Sequence, residues 1–287
     1  HGSVTEVDTC LYAELTRLLA ESAAVLGKPD DAARYHALAA DIARAFHAQR
    51  YDAARAAYGD GRQTTALLPL AFNLVPADQQ ARVYERLLAT IRDANHGHLD
   101  TGIFGTRYLA DVLCDRGSAD LALHLLTQPE YPGFGFQLAQ GATTLWEQWS
   151  VKGGMNSHNH AMFAGVGASL VSRFGGISAL KPGFSEIGIR PCLPRALTFA
   201  EASLDTVAGC VSARWERAGD RLVLRVAVPA NAVARVAVPS ADAAAVTEGG
   251  APASTAPGVT PLGTEGAYAC YRIGSGDYVF AAPAPRP

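Results

Sequence analysis

Cysteine is scarce in this chain and badly placed for a structural role. Five cysteines stand among 287 residues, at Cys10, Cys114, Cys192, Cys210 and Cys270. Their number is odd, their spacing wide, and no Cys-x-x-Cys pair occurs, which excludes a disulfide scaffold and a zinc ribbon. Free buried thiols are the plain reading, and a Cys192–Cys210 bridge is the one pairing left open. Positive charge is not in excess either: 24 Lys and Arg face 27 Asp and Glu, for a net charge of −3. With no basic run, no nucleic-acid partner is expected. No uninterrupted apolar stretch of about 18 residues exists, so no membrane-spanning helix is expected. No basic region followed by an apolar one opens the chain, so a signal peptide is not expected and a cytoplasmic location is favoured. What is abundant is hydrophobic residues, at 49 %, enough to build a core.

The texture of the sequence changes near residue 180. Before it, apolar residues recur at helical spacing. Leu11, Leu15, Leu18, Leu19 and Leu26 line one face of a first helix, and Tyr35, Leu38, Ala39, Ile42 and Phe46 one face of a second. Gly27-Lys28-Pro29 between them is a helix stop followed by a start, which predicts an antiparallel hairpin. A third helix over about 63–74 is apolar nearly all round and must be enclosed on all sides. A fourth begins after Pro76 and carries Val83, Leu87, Leu88 and Ile91; further helices are expected at about 104–116, 118–127 and 158–175. Enclosed and two-faced helices mixed in this way suit two concentric helical layers, with a plain four-helix bundle as the simpler alternative.

Beyond residue 184 the period falls to two. Leu222, Leu224, Val226 and Val228 alternate with Arg221, Val223, Arg225 and Ala227, and Val211, Ala213 and Trp215 with Ser212, Arg214 and Glu216. Ala218-Gly219-Asp220 is the turn between them, and further short strands predict an antiparallel sandwich. The Ala-, Gly- and Pro-rich stretch 241–263 is expected to be a long mobile loop. The chain is thus multidomain, α then β: a helical domain over 1–180 and a β-sandwich over 181–287.

Chemistry concentrates in three segments. Trp146-Glu147-Gln148-Trp149 sets a carboxylate between two indoles. Indole faces suit the apolar faces of sugar rings, and desolvation of a carboxyl makes it a better base. A Glu paired with an arginine beside two core tryptophans is the alternative. Asn156-Ser157-His158-Asn159-His160 follows, leading into the small-residue run 161–169, with amides and imidazoles able to donate to sugar hydroxyls. His158 and His160 diverge by about 200° on a helix and would not share a metal there; no metal or cofactor is expected. His96-Gly97-His98-Leu99-Asp100-Thr101-Gly102-Ile103-Phe104-Gly105-Thr106 is the third, placed between helices where sites are commonly built. Phe134, Phe136 and Tyr131 form a pocket wall or pack a loop.

HLDTGIFGTRYLADVL, GATTLWEQW and MNSHNHAMFAGVG resemble, in that order, segments of the bacterial α-L-rhamnosidases of glycoside hydrolase family 78. PGFSEIGIRP and RLVLRVAVPA resemble the strands that open that family's C-terminal domain. The resemblance implies the C-terminal part of an (α/α)6 helical barrel followed by an antiparallel β-sandwich, and hydrolysis of terminal α-L-rhamnose with inversion. It implies that Glu147 is the general base, that His160 contacts the sugar, and that Trp146 and Trp149 are neighbouring pocket residues; His98 and Asn156 are expected to bind substrate as the polar residues of their own segments. The substrate it implies is a rhamnose-containing glycoside. The family's segment Cys-Pro-Gln-Arg-Asp-Glu-Arg, which carries the general acid, has no match, and Asp100 is the nearest carboxylate in character. About seven helices are expected where a complete barrel has twelve. An inactive carbohydrate-binding fragment of the family, or another glycosidase or lyase on a related barrel, are therefore the alternatives. Pairing with the missing half of the barrel, or self-association, is expected of the exposed helix flanks.

Overall fold

The structure is a computed structural model and describes residues 3–150 and 156–284. Two compact units divide the chain: His1–Arg116 with Leu121–Val166, and Gly117–Asp120 with Gly167–Pro287. The helices are α1 Val4–Val25, α2 Pro29–Arg50, α3 Gln63–Ala71, α4 Gln80–Ala89, α5 Ile103–Asp115, α6 Ala119–Thr127 and α7 Phe134–Ala139. None among the described residues is long and apolar enough to cross a membrane.

α1 and α2 form the expected hairpin. Gly27 takes φ +67°, a conformation natural to glycine, and the amides of Gly27 and Lys28 close onto the carbonyls of Ala24 and Ala23 in a Schellman stop. Pro29 then opens α2 where its missing N–H costs nothing. Glu6, 1 % exposed, pairs with Arg50 from the far end of α2. Between α2 and α3, the short strands β1 Tyr51–Asp52 and β2 Ala57–Tyr58 pair antiparallel; no period announces so brief a ribbon.

α3 is enclosed as its composition demands, with every residue from Gln63 to Leu70 buried. α1 differs from expectation. Its buried face is Val7, Cys10, Ala13, Ala20 and Ala23, whereas Leu15, Leu18, Leu19 and Leu26 are exposed. The small side chains allow α1 to pack closely on its neighbours, and the leucines form a second apolar stripe that these residues leave uncovered.

The expected helix over 158–175 is a correction. In its place come a 3-10 turn Ala161–Gly165, one α turn Val166–Ser169 and a π turn Leu170–Phe174. Glycines 165 and 167 weaken helical continuity.

The second unit contains β3 Ile177–Ala179, β4 Glu186–Ile189, β5 Phe199–Thr206, β6 Gly209–Ala218, β7 Arg221–Val228, β8 Val233–Pro239, β9 Thr247–Glu248, β10 Ala251–Pro252, β11 Val259–Glu265, β12 Tyr268–Ile273 and β13 Gly276–Pro283. They make a six-stranded sheet, β10-β9-β13-β7-β6-β5, and a five-stranded one, β11-β12-β8-β4-β3. Pairing is antiparallel save for β4 with β8. The alternating residues Val211, Ala213 and Trp215, and Leu222, Leu224, Val226 and Val228, all face one shared core. The Trp215 indole, fully buried, donates to the Phe174 carbonyl at 2.7 Å. The stretch 241–263 is no loose loop. A 3-10 turn Ala243–Ala245 is capped by Asp242, β9 and β10 pair, and Val246, Ala253 and Ala256 fill the core. No disulfide joins the cysteines among the described residues, so Cys192 and Cys210 do not pair.

Candidate active site

Two irregular segments run side by side beyond α7. The Glu147 amide donates to the Ser157 carbonyl at 2.9 Å, and the His160 amide to the Leu145 carbonyl at 2.8 Å. This brings Trp146–Trp149 against Asn156–His160, although 151–155, and Met155 of the motif with them, lie outside the described residues. The same pairing orients the carboxylate: Glu147 Oε2 accepts the Ser157 amide at 2.9 Å. Asn156 Nδ2 donates to Gln148 Oε1 at 3.1 Å, bracing the segment one residue on.

The segment is also held from within. The Trp149 indole, 4 % exposed, donates to the Thr101 carbonyl at 2.7 Å. Gln137, buried on α7, donates its amide to the Gln148 carbonyl at 2.9 Å. Phe134 and Phe163 pack on the Trp149 ring, with centroids 5.0 and 4.2 Å away. Glu147 thus stands on a fixed floor. Its neighbours enclose a hollow of about 280 Å³ lined by Ile103, Phe104, Glu147, Gln148, Trp149 and Phe163, with Gly102 and Gly105. Gly105 is required by space: a Cβ there would come within 2.6 Å of Thr64 Oγ1 and 2.9 Å of Thr101 Cβ.

His160 caps the 3-10 turn that follows, its Nδ1 accepting the Met162 amide at 3.3 Å. In the neutral ring this leaves the proton on Nε2, a donor. His158 stacks on Trp146, centroids 4.5 Å apart, and Trp146 is buried. His160 lies on extended backbone and His158 in a bend, rather than on the helix first expected. Among the described residues no group of three or more His, Cys, Asp or Glu could hold a metal.

His98 meets Gln128, whose Nε2 lies 3.1 Å from Nδ1, and its carbonyl accepts Gln63 Nε2 at 2.8 Å. It does not line the hollow. Asp100 does not line it either; both its carboxylate oxygens are taken by Arg62. Tyr131 and Phe136 pack on each other. The sequence singled out neither Phe163 nor Gln137. Gln137 gave no signal because its partner is a backbone carbonyl, which any residue supplies.

The chain matches two family models: the bacterial alpha-L-rhamnosidase 6 hairpin glycosidase domain over 1–173 and the bacterial alpha-L-rhamnosidase C-terminal domain over 176–251. It is 35 % identical over 242 residues to an alpha-L-rhamnosidase of Formosa agariphila, covering 82 % of this chain and 26 % of that one. An alpha-L-rhamnosidase of Streptomyces avermitilis is 36 % identical over 242 residues, covering 82 % and 23 %. The fold superposes on alpha-L-rhamnosidase from Dictyoglumus thermophilum with TM-score 0.87 and 34 % identity, over 96 % of this chain and 31 % of that one. It superposes on the Streptomyces avermitilis enzyme complexed with L-rhamnose with TM-score 0.86 and 33 % identity, over 96 % and 26 %. The chain spans about a quarter of the length of the curated relatives it matches. With helices and sandwich both aligned, the chain belongs to the bacterial alpha-L-rhamnosidase family.

Proposed function

We propose that this chain carries the water-activating half of an inverting α-L-rhamnosidase site, acting on the terminal rhamnose of rhamnose-containing glycosides. The observation that carries this reading is Glu147: a carboxylate oriented by the Ser157 amide, at the edge of a hollow walled by Trp149, Phe163, Phe104 and Ile103. An apolar wall suits the C–H face of a sugar and excludes competing water. Glu147 takes the proton of a water as that water attacks the anomeric carbon from the face opposite the aglycone. His160 donates through Nε2 to a sugar hydroxyl, and Trp146 and Asn156 hold the two segments in register. No assigned contact gives His98 a direct role beyond bracing its loop.

Inversion needs a second carboxyl roughly 6.5–9.5 Å from the first to protonate the leaving oxygen. Glu147 is the one carboxylate lining the hollow among the described residues. The acid therefore comes from polypeptide beyond this chain, as does the cover for the leucine stripe of α1, on this reading.

Ligand-observed NMR with L-rhamnose, and release of nitrophenol from p-nitrophenyl α-L-rhamnoside, test the reading together. The chain should bind rhamnose. His160→Ala should weaken that binding about tenfold, the scale of one lost charge-free donor in a dry site. Glu147→Gln should keep the binding and remove any turnover, slow as that turnover is without the acid. Turnover that survives Glu147→Gln, or no rhamnose binding at all, would overturn the proposal.

A further inference from the structure

A second hollow, of about 320 Å³, opens on the outward face of the six-stranded sheet and shares no residue with the one that Glu147 lines. The strand register builds it in rows. Glu201, Arg214, Arg225 and Val279 stand side by side across β5, β6, β7 and β13; in the next row are Ser203, Ser212, Ala227 and Asp277. Four strands at sheet spacing span roughly 14 Å, room for a short oligosaccharide.

Arg214 is held in place. Arg214 donates to Glu201 at 2.8 Å and to Glu216 at 3.0 Å, and its guanidinium lies over the Phe199 ring at 4.7 Å from the centroid. Directly beside it stands Arg225, 3.8 Å from Glu216 and 54 % exposed. Two arginines opposite each other repel, and exposed ion pairs contribute little to stability, so fold stability does not account for the arrangement. Among the described residues the side chains of Ser212 and Asp277 take no hydrogen bond or ion pair. Phe199 and Val279, both exposed, add apolar surface to the same face.

We propose that this hollow is a saccharide-binding site separate from the catalytic one, taking a neutral oligosaccharide chain. The guanidinium donors of Arg214 and Arg225 stand beside the carboxylates of Glu201 and Glu216, which suits hydroxyl groups that donate and accept at once. Two arginines against Glu201, Glu216 and Asp277 leave no cationic excess, which disfavours a polyanion. The proposed function gives the reason to look for a saccharide; the site itself does not rest on it.

Native electrophoresis of the chain through gels containing neutral arabinan or galactan, with polygalacturonate gels as control, tests it. A neutral polysaccharide should retard the chain. Arg225→Ala with Asp277→Ala should weaken apparent affinity about tenfold, the loss expected for charge-assisted hydrogen bonds. Because both side chains are exposed, the urea midpoint should stay where it was. His160→Ala, which weakens sugar binding at the other hollow, should leave retention intact, so failure of the hydrolase reading and failure of this one are separately visible. Three results would overturn the assignment: no retardation by any neutral polysaccharide, retardation by polygalacturonate alone, or retardation indifferent to the double substitution. Loss of retention in His160→Ala would move the binding to the other hollow and overturn it too.

Discussion

Trp149 shows how one side chain serves both core and site. Its ring packs between Phe134 and Phe163, and its indole N–H reaches the Thr101 carbonyl at 2.7 Å. Thr101 is fully buried, so no water replaces that donor. Trp149→Phe keeps most of the packing and deletes the N–H. An orphaned buried carbonyl costs about 1–3 kcal/mol, and the urea midpoint should fall accordingly with an unchanged slope. An unchanged midpoint would show that the indole bond contributes nothing to the floor beneath Glu147. The same residue marks how far the site could be read in advance. Glu147 and Trp149 announce themselves, because a carboxylate between two indoles is rare chemistry. The Thr101 carbonyl and Gln137 do not, since backbone groups and a lone amide have no sequence pattern. His98 stood out by its side chain, yet the fold spends that ring on Gln128.

Among elements, β7 is the most legible. Leu222, Leu224, Val226 and Val228 alternate with Arg221, Val223, Arg225 and Ala227, and the first set fills the core. A one-residue slip would turn every core side chain to the outward face, so the register is strongly fixed. Leu224→Ala should cost about 2–5 kcal/mol through the cavity it leaves, while Val223→Ala next to it should cost less than about 1 kcal/mol. Equal losses in chemical denaturation would refute the assigned faces. The stretch 241–263 could not be read in this way. Alanine at Ala253 and Ala256 is small enough to fill the edge of the core and common enough in loops to look like one. α1 misled for the opposite reason. Leucine marks a buried face by habit, and here alanine and cysteine take the close contacts while the leucines stay outside.

That displaced stripe is a property of the whole molecule. Leu15 is 63 % exposed and Leu19 47 %, with Leu18, Leu26 and Tyr12 on or beside the same side of α1. Contiguous apolar surface of this kind marks an interaction face. The family domain to which residues 1–173 align is a six-hairpin one, and the chain spans only about a quarter of its relatives. We propose further helices of a longer polypeptide as the cover; without them the same stripe should drive copies of this chain together. Sedimentation velocity should show the chain alone as dimers or larger species at micromolar concentration. Leu15→Glu with Leu19→Lys should shift it toward monomer. Both substituents are good helix formers, so the helix itself should lose little. The exchange also discriminates between causes. If association came from the edge strands of the sandwich, the paired substitution would leave the sedimentation profile as it was. A stable monomer before any substitution would mean that the stripe is too small to act alone, and that the helical unit is complete as it stands.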